Sequence, residues 1–326
     1  MENQEYFEDR IGLKLLQEKV DLVKSEMAKV IVGQDQMIEL MIVALLADGH
    51  VLLEGVPGIA KTLTAKILSK LISTNFSRIQ FTPDLMPSDV TGTSVFNAGS
   101  SKFEFNAGPI FSNIVLIDEI NRAPAKTQSA LFEVMEEKQV TVDGETHLME
   151  APFLIFATQN PLEHEGTYRL PEAQLDRFLF KIVVDYPSVS DEFLILKNAH
   201  LRKGSKEMDG VVSVMEAKQL VEFQQIIRQV YVEDNLMQYI AEVVTKTRKH
   251  ASLYLGASPR ASINILKASK AFAAIHGRDF VIPEDIKAVM VPVLIHRIYL
   301  TPEKEMEGIS EAQIISDIIN SVSIPR

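Results

Sequence analysis

The sequence predicts an α/β protein: a parallel sheet sandwiched by helices over residues 1–188, then a smaller all-α domain over 189–326. Three observations carry this expectation. Short apolar runs alternate with helical segments up to about residue 184, the pattern of a parallel sheet covered on both faces. A glycine-containing loop, Gly55-Val56-Pro57-Gly58-Ile59-Ala60-Lys61-Thr62, follows the first apolar run, where such sheets bind ligands at their strand C-termini. Beyond Asp185-Tyr186-Pro187-Ser188 the pattern turns helical throughout.

In chain order, Leu15, Leu16, Val20, Val23, Met27 and Val30 recur at helical spacing, which predicts an amphipathic helix over 13–31. A short turn, Ile31-Val32-Gly33-Gln34, separates it from a second helix over 35–47, and the phosphate-type loop runs into a helix over 61–72. Strands are expected at 78–81, 114–117, 153–156 and 180–184. Two polar stretches interrupt this scheme, 93–106 around Asn-Ala-Gly-Ser-Ser and 139–149 around Asp143-Gly144, and both read as projecting hairpins. Helices follow at 190–201, 216–230, 235–253, 261–276, 284–295 and 310–321, with a polar break from Arg202 to Glu207. There are no repeats and no low-complexity tract.

The 326 residues carry 33 Lys plus Arg and 44 Asp plus Glu, a net charge of −11. A protein built to grip a nucleic-acid backbone usually shows a basic face, so this balance argues against that class and no nucleic-acid partner is expected. The absence of cysteine excludes disulfides and thiolate chemistry. The seven histidines form no H-x-x-x-H pair, which argues against a histidine metal site. The charged N-terminus lacks an apolar signal core, and no run approaches the ~18 apolar residues of a membrane helix. A cytoplasmic protein is expected.

The loop at 55–62 names a ligand class. Glycines at 55 and 58 let the backbone close around a polyphosphate, and the following helix offers its positive end. Lys61 can reach the β and γ phosphates, and Thr62 can offer its hydroxyl to Mg²⁺. Ala60 stands where the general pattern has glycine, which is harmless if that residue takes an ordinary helical φ. The bland alternative is a strand-to-helix turn with no ligand. Residues 114–119, IVLIDE, end an apolar run in two acids. Asp118 can hold Mg²⁺ opposite Thr62, and Glu119 can orient or deprotonate a water that attacks the γ-phosphate. Asn160, in Ala157-Thr158-Gln159-Asn160-Pro161, can bond the γ-phosphate or the attacking water, or simply make an Asn-Pro turn. By spacing alone Arg177 and Arg260 are single arginines near element boundaries, with surface or salt-bridge roles.

In this order the set resembles the AAA+ ATPases, and more closely the MoxR family of the helix-2-insert clade. The stretches that carry the resemblance are Val32-Gly33-Gln34, ADGHVLLEGVPGIAKT (47–62), FTPDLMPSDVTGT (81–93), LIDEINRAPAKTQSALFEVMEE (116–137), ATQNP (157–161), LPEAQLDRF (170–178), GASPRAS (256–262) and GRDFVIPEDI (277–286). They span nearly the whole chain. Arg169 departs from the family pattern, which has proline there. The resemblance implies a P-loop NTPase-type AAA+ core with an all-helical lid, ATP and Mg²⁺ as cofactors, and a homo-hexameric ring. It implies sensor roles for Asn160 and Arg260, an arginine-finger role for Arg177, and an adenine-pocket role for Ile31, Val32 and Gly33. The implied nucleotide set is completed by Gly55, Val56, Pro57, Gly58, Ile59, Ala60, Lys61, Thr62, Leu63 and Asp118, and Arg122 is a further candidate to reach a neighbour. Chaperone-like remodelling or maturation of other proteins is the implied function, with a von Willebrand factor A-domain partner. The alternatives are the ATPase subunit of a magnesium-chelatase-like complex, a nucleic-acid motor, and a nucleotide-gated scaffold that does not hydrolyse.

Overall fold

The computed structural model describes residues 12–161, 168, 170–201 and 207–324; Arg169 and most of the 202–207 break lie outside the described residues. The chain opens with helices α1 (Leu13–Ala28) and α2 (Asp35–Leu46), strand β1 (Val51–Glu54), α3 (Lys61–Leu71) and β2 (Phe76–Gln80). A short helix α4 (Pro87–Thr91) leads into the hairpin of β3 (Gly92–Asn97) and β4 (Lys102–Ala107), then β5 (Ile114–Asp118) and α5 (Ala125–Glu137). A second hairpin, β6 (Gln139–Val142) and β7 (Glu145–Leu148), precedes β8 (Leu154–Gln159), a turn of helix α6 (Glu172–Leu175) and β9 (Phe180–Val183). The remainder comprises α7 (Val189–Leu201), α8 (Ala217–Arg228), α9 (Asp234–Thr247), β10 (Leu253–Leu255), α10 (Pro259–Ile275), α11 (Pro283–Leu294), β11 (Tyr299–Leu300), α12 (Pro302–Met306) and α13 (Glu311–Asn320).

Five parallel strands form the sheet in the order β2-β5-β8-β1-β9. β1 lies between β8 and β9, with Val51 opposite both Phe156 and Phe180. Successive residues of the strands enter two apolar clusters. Val51, Leu53, Ile114, Leu116, Leu154 and Phe156 face one, while Leu52, Val115, Ile117, Ile155 and Ala157 face the other. This period of two, with both faces buried, is why the strands read as continuous apolar runs. The first cluster continues through α1 and α2 into α8, α9, α10, α11 and α13, so one core joins the sheet to the helical region.

The helix expected at 235–253 stops at Thr247 instead. Thr247 Oγ1 accepts the Ala257 N–H at 3.0 Å, and a Cβ on Gly256 would meet Arg248 Cα at 2.6 Å. The chain therefore doubles back against the helix end, and Leu253–Leu255 pairs antiparallel with Tyr299–Leu300. Among the described residues beyond 190 the secondary structure is helical apart from that ribbon and an isolated bridge between Tyr231 and Phe280. Among the described residues no helix is long and apolar enough to cross a membrane.

Candidate functional site

The loop leaves the C-terminal end of β1, between β8 and β9, and enters α3. Gly55 is required by close approach, since a Cβ there would lie 2.6 Å from both Ile59 Cδ1 and the Val184 carbonyl. Gly58 is required by conformation, at φ +89°. Ala60 corrects the expectation of ordinary helical backbone. It stands in the left-handed region at φ 62° and ψ 14°, which costs an alanine roughly 1–2 kcal/mol. The conformation that glycine usually supplies is thus kept, with strain held in the loop. Lys61 lies back over the loop and donates to the Gly55 carbonyl and, at 3.2 Å, to that of Val56.

A cleft of about 460 Å³ opens against this loop. Pro57, Gly58, Ala60, Lys61, Thr62 and Leu63 line one side; Arg78, Gln80, Asp118, Glu119, Thr158, Gln159 and Asn160, from the ends of β2, β5 and β8, line the other. Glu207 reaches it from the chain leading to α8. The parallel sheet explains the convergence, because it brings the C-terminal ends of neighbouring strands to one edge. Gly55, Val56 and Ile59 belong to the loop but not to this lining. Ile31, Val32 and Gly33 lie outside it too; Gly33, at φ +73°, backs onto the Asp191 carboxyl at the start of α7.

Each acid is held at both oxygens or by two donors. Asp118, 9% exposed at the side chain, accepts from Arg78 Nε at 2.6 Å through Oδ2 and from Thr158 Oγ1 at 3.1 Å through Oδ1. Glu119 sits in the left-handed region at φ 57°. Its N–H donates to Thr158 Oγ1 at 3.0 Å, and its Oε2 accepts from Gln80 Nε2 at 2.7 Å and pairs with Arg122 Nε at 3.1 Å. Arg122 is therefore engaged by Glu119 of its own chain. Gln80, Arg78 and Thr158 were not singled out from the sequence. Their signal is positional: each stands at or near the C-terminal end of a strand beside β5.

Arg177 and Arg260 are brought together, but not at this cleft. Both pair with Glu136 at the end of α5, Arg260 Nη2 at 2.6 Å and Arg177 Nε at 3.7 Å, and the Arg177 guanidinium lies 5.9 Å from the Phe132 ring centroid. They line a second cleft of about 320 Å³ with Asp48, His50, Lys138 and Lys267. Leu179, two residues after Arg177, donates to the His50 carbonyl at 2.7 Å, just before β1 begins. Arg177 therefore sits at the N-terminal edge of the sheet and the loop at the C-terminal edge, separated by β1, about 13 Å of strand.

Two buried histidines, His50 in the lining of this second cleft and His296 behind the turn at Phe178, hold backbone groups. His50 accepts the Ile155 N–H at Nδ1 (3.0 Å) and donates from Nε2 to the Met135 carbonyl (3.2 Å), and burial pushes its pKa down to about 4. His296 donates from Nε2 to the Phe178 carbonyl at 3.1 Å; burial, helped by Arg297, holds it well below the usual histidine range.

Known proteins are similar to this chain. A family model described as the ATPase family associated with various cellular activities (AAA) matches residues 50–180, and an AAA lid domain model matches 245–318. The chain is 49% identical to the protein YeaC of Bacillus subtilis, over 91% of this chain and 92% of that one. It is 45% identical to Chaperone MoxR1 of Mycobacterium tuberculosis, over 92% and 81% respectively. Protein MoxR of Methylorubrum extorquens is 30% identical over 91% of each chain. A crystal structure from Cytophaga hutchinsonii, 44% identical, superposes with a TM-score of 0.89 over 96% of this chain and 97% of that one. With the loop on β1, the acids at the end of β5 across β8, and relatives this similar along most of its length, the chain belongs to the MoxR family of AAA+ ATPases.

Proposed function

We propose that the protein is a Mg-ATP-hydrolysing ring ATPase, a homo-hexamer, whose nucleotide is bound by one subunit and hydrolysed with arginines from the next. The observation that carries this reading is the placement of Arg177 and Arg260 at the sheet edge opposite the loop of their own chain. Two cations gathered there cannot serve their own cleft, and phosphoryl transfer gains ~10³–10⁵ in rate from an arginine supplied in trans. The helix α7 also supports a ring: none of its side chains is buried, and Val189, Phe193 and Leu196 are exposed at 88%, 67% and 69%. An apolar helix of that kind is a surface that a neighbouring copy covers.

In this reading Lys61 and the N-terminal end of α3 neutralise the β and γ phosphates, with backbone N–H groups of 58–62 directed at the oxygens. Asn160 positions the γ-phosphate or the water. Glu119, restrained by Gln80 and Arg122, orients the water and accepts its proton. The donor set fits Mg²⁺ as well: the Thr62 hydroxyl and the Asp118 carboxylate line the same cleft, and Arg78 and Thr158 hold Asp118 in one orientation. Mg²⁺, held by those two residues, would neutralise charge on the phosphates. Ile31, Val32 and Gly33 contribute the base side.

The output we assign is chaperone-like remodelling or maturation of other proteins in the cytoplasm, with a von Willebrand factor A-domain partner. The helical region, from about residue 189, rotates against the sheet domain in each cycle, and the hairpins β3–β4 and β6–β7 pass the motion on. The relative named a chaperone is 45% identical over 92% of the chain, while a magnesium-chelatase subunit homologue of Methanocaldococcus jannaschii is 24% identical over 58%. This supports the chaperone reading over the chelatase one. The test is Glu119→Gln: it should bind Mg-ATP with near-native affinity and not turn it over. Native turnover in that variant would remove Glu119, and the mechanism built on it.

A further inference from the structure

Arg297, just after α11, has a side chain only 1% exposed. Its guanidinium donates to five oxygens: Asp176 Oδ1 at 2.7 Å, the carbonyls of Asp176 at 2.8 Å and Leu179 at 3.3 Å, and those of Phe178 and Val293. Four of the five belong to residues 176–179, the turn that carries Arg177. Two more side chains of the helical region hold the same turn. Ser258 Oγ donates to the second Asp176 oxygen at 2.9 Å, and His296 donates to the Phe178 carbonyl. Ser258 is the residue immediately before α10, on whose first turn Arg260 sits.

A buried guanidinium tolerates no loss of partners, because an unpaired charge in that environment is strongly unfavourable. Sliding the helical region away from residues 176–179 would break four of the five Arg297 hydrogen bonds at once. Arg297 therefore ties that region to the turn, and the Leu179 N–H ties the same turn to the His50 carbonyl beside β1. If the role were only to fill volume, an apolar side chain would serve as well or better. The planar fork of arginine instead fixes the turn in direction as well as position.

From this geometry we propose that Arg297 is the positioning residue of the Arg177–Arg260 pair. It locks the 176–179 turn to the helical region, so that both arginines are held as one unit in the orientation that serves a neighbouring subunit's nucleotide. The inference rests on the shared-site reading above and adds the residue that sets the orientation of the pair.

The test uses mixed assemblies of the full chain. Arg177→Ala subunits keep an intact loop but lack the arginine; Glu119→Gln subunits cannot hydrolyse but can donate one. Mixing them should restore Mg-ATP turnover, and failure to do so would overturn the shared-site reading and this inference with it. Arg297→Lys is then placed in one partner at a time. In the Glu119→Gln arginine donor it should lower the restored turnover at least about tenfold, as loss of orientation does. In the Arg177→Ala partner it should leave the restored turnover within about twofold. An equal loss from both placements would make Arg297 a general structural residue, and no loss from the donor placement would make it dispensable; either result overturns the proposal. Ser258→Ala, which removes one hydrogen bond to Asp176 without uncovering a charge, repeats the comparison if Arg297→Lys fails to fold. It should produce a smaller loss with the same donor-only dependence, and a symmetric or absent effect counts against the proposal in the same way.

Discussion

Arg260 Nη2 lies 2.6 Å from Glu136 Oε1, a contact across 124 positions of sequence between the helical region and the sheet domain. Arg177 shares the same carboxylate, so two cations that look unrelated in sequence form one cluster. The cluster lies at the far end of β1 from the loop, and this separation is the basis of the shared-site account.

Arg177→Ala and Arg260→Ala should separate activity from stability. Both side chains are 31–40% exposed and their ion pairs are partly solvated, so each substitution should cost no more than about 1 kcal/mol of folding stability. Turnover should fall by roughly 10²-fold or more in each. Urea unfolding and steady-state hydrolysis on the same preparations check both parts. A large loss of stability with retained turnover would assign the pair to folding.

Ala60→Gly should stabilise the protein by about 0.5–1 kcal/mol. Relief of left-handed strain outweighs the added freedom of glycine in the unfolded chain. Ala60→Val, whose β-branch is least compatible with positive φ, should destabilise it. Denaturant midpoints decide, and destabilisation by glycine would contradict the backbone conformation at this residue.

Gln80→Ala should reduce turnover roughly tenfold while leaving ATP affinity near native. Gln80 Nε2 restrains the Glu119 carboxylate at 2.7 Å, and Gln80 Oε1 accepts from Arg78 Nη2 at 3.4 Å. A matched pair of binding and turnover assays distinguishes this from a binding defect, which would appear as weaker ATP affinity.

Acid should destabilise the fold in a defined window. His50 is neutral when folded, with a pKa near 4, against an ordinary value of 6.5. Between those values the unfolded chain binds a proton that the folded chain refuses. The stabilisation is complete above about pH 6.5 and is lost as pH falls toward 4, about 3 kcal/mol from His50 alone. His296 is shifted in the same direction and steepens the loss. Urea titrations at about pH 7 and about pH 4.5 measure the difference, and equal stability at both would mean that His50 is not buried in neutral form.

The sheet strands were legible because both faces are buried, so each reads as an unbroken apolar run ending at the ligand edge. The hairpins were legible from turn chemistry, with Asp143-Gly144 at φ 51° and 85° in the observed turn. The backbone at Ala60 was not legible, since the residue type argued for helical φ and the tight loop imposed the opposite. Glu136 lies in a run of charged residues at the end of α5 and reads as a solvated face; only tertiary packing places it between two arginines. Arg297 reads as a surface cation; the Asp176 carboxylate and the carbonyls of residues 176–179, distant in sequence, make its burial tolerable. The β10–β11 ribbon is too short for a periodicity signal.

The central claim is that each site is shared between subunits. It is tested most directly by measuring Mg-ATP turnover across a wide range of protein concentration, for the native chain and for Arg177→Ala. The account predicts specific activity that rises with concentration toward a plateau and a collapse of at least about 10²-fold in the variant. Specific activity that is flat with concentration and survives Arg177→Ala would mean that each chain hydrolyses ATP alone, and would contradict it.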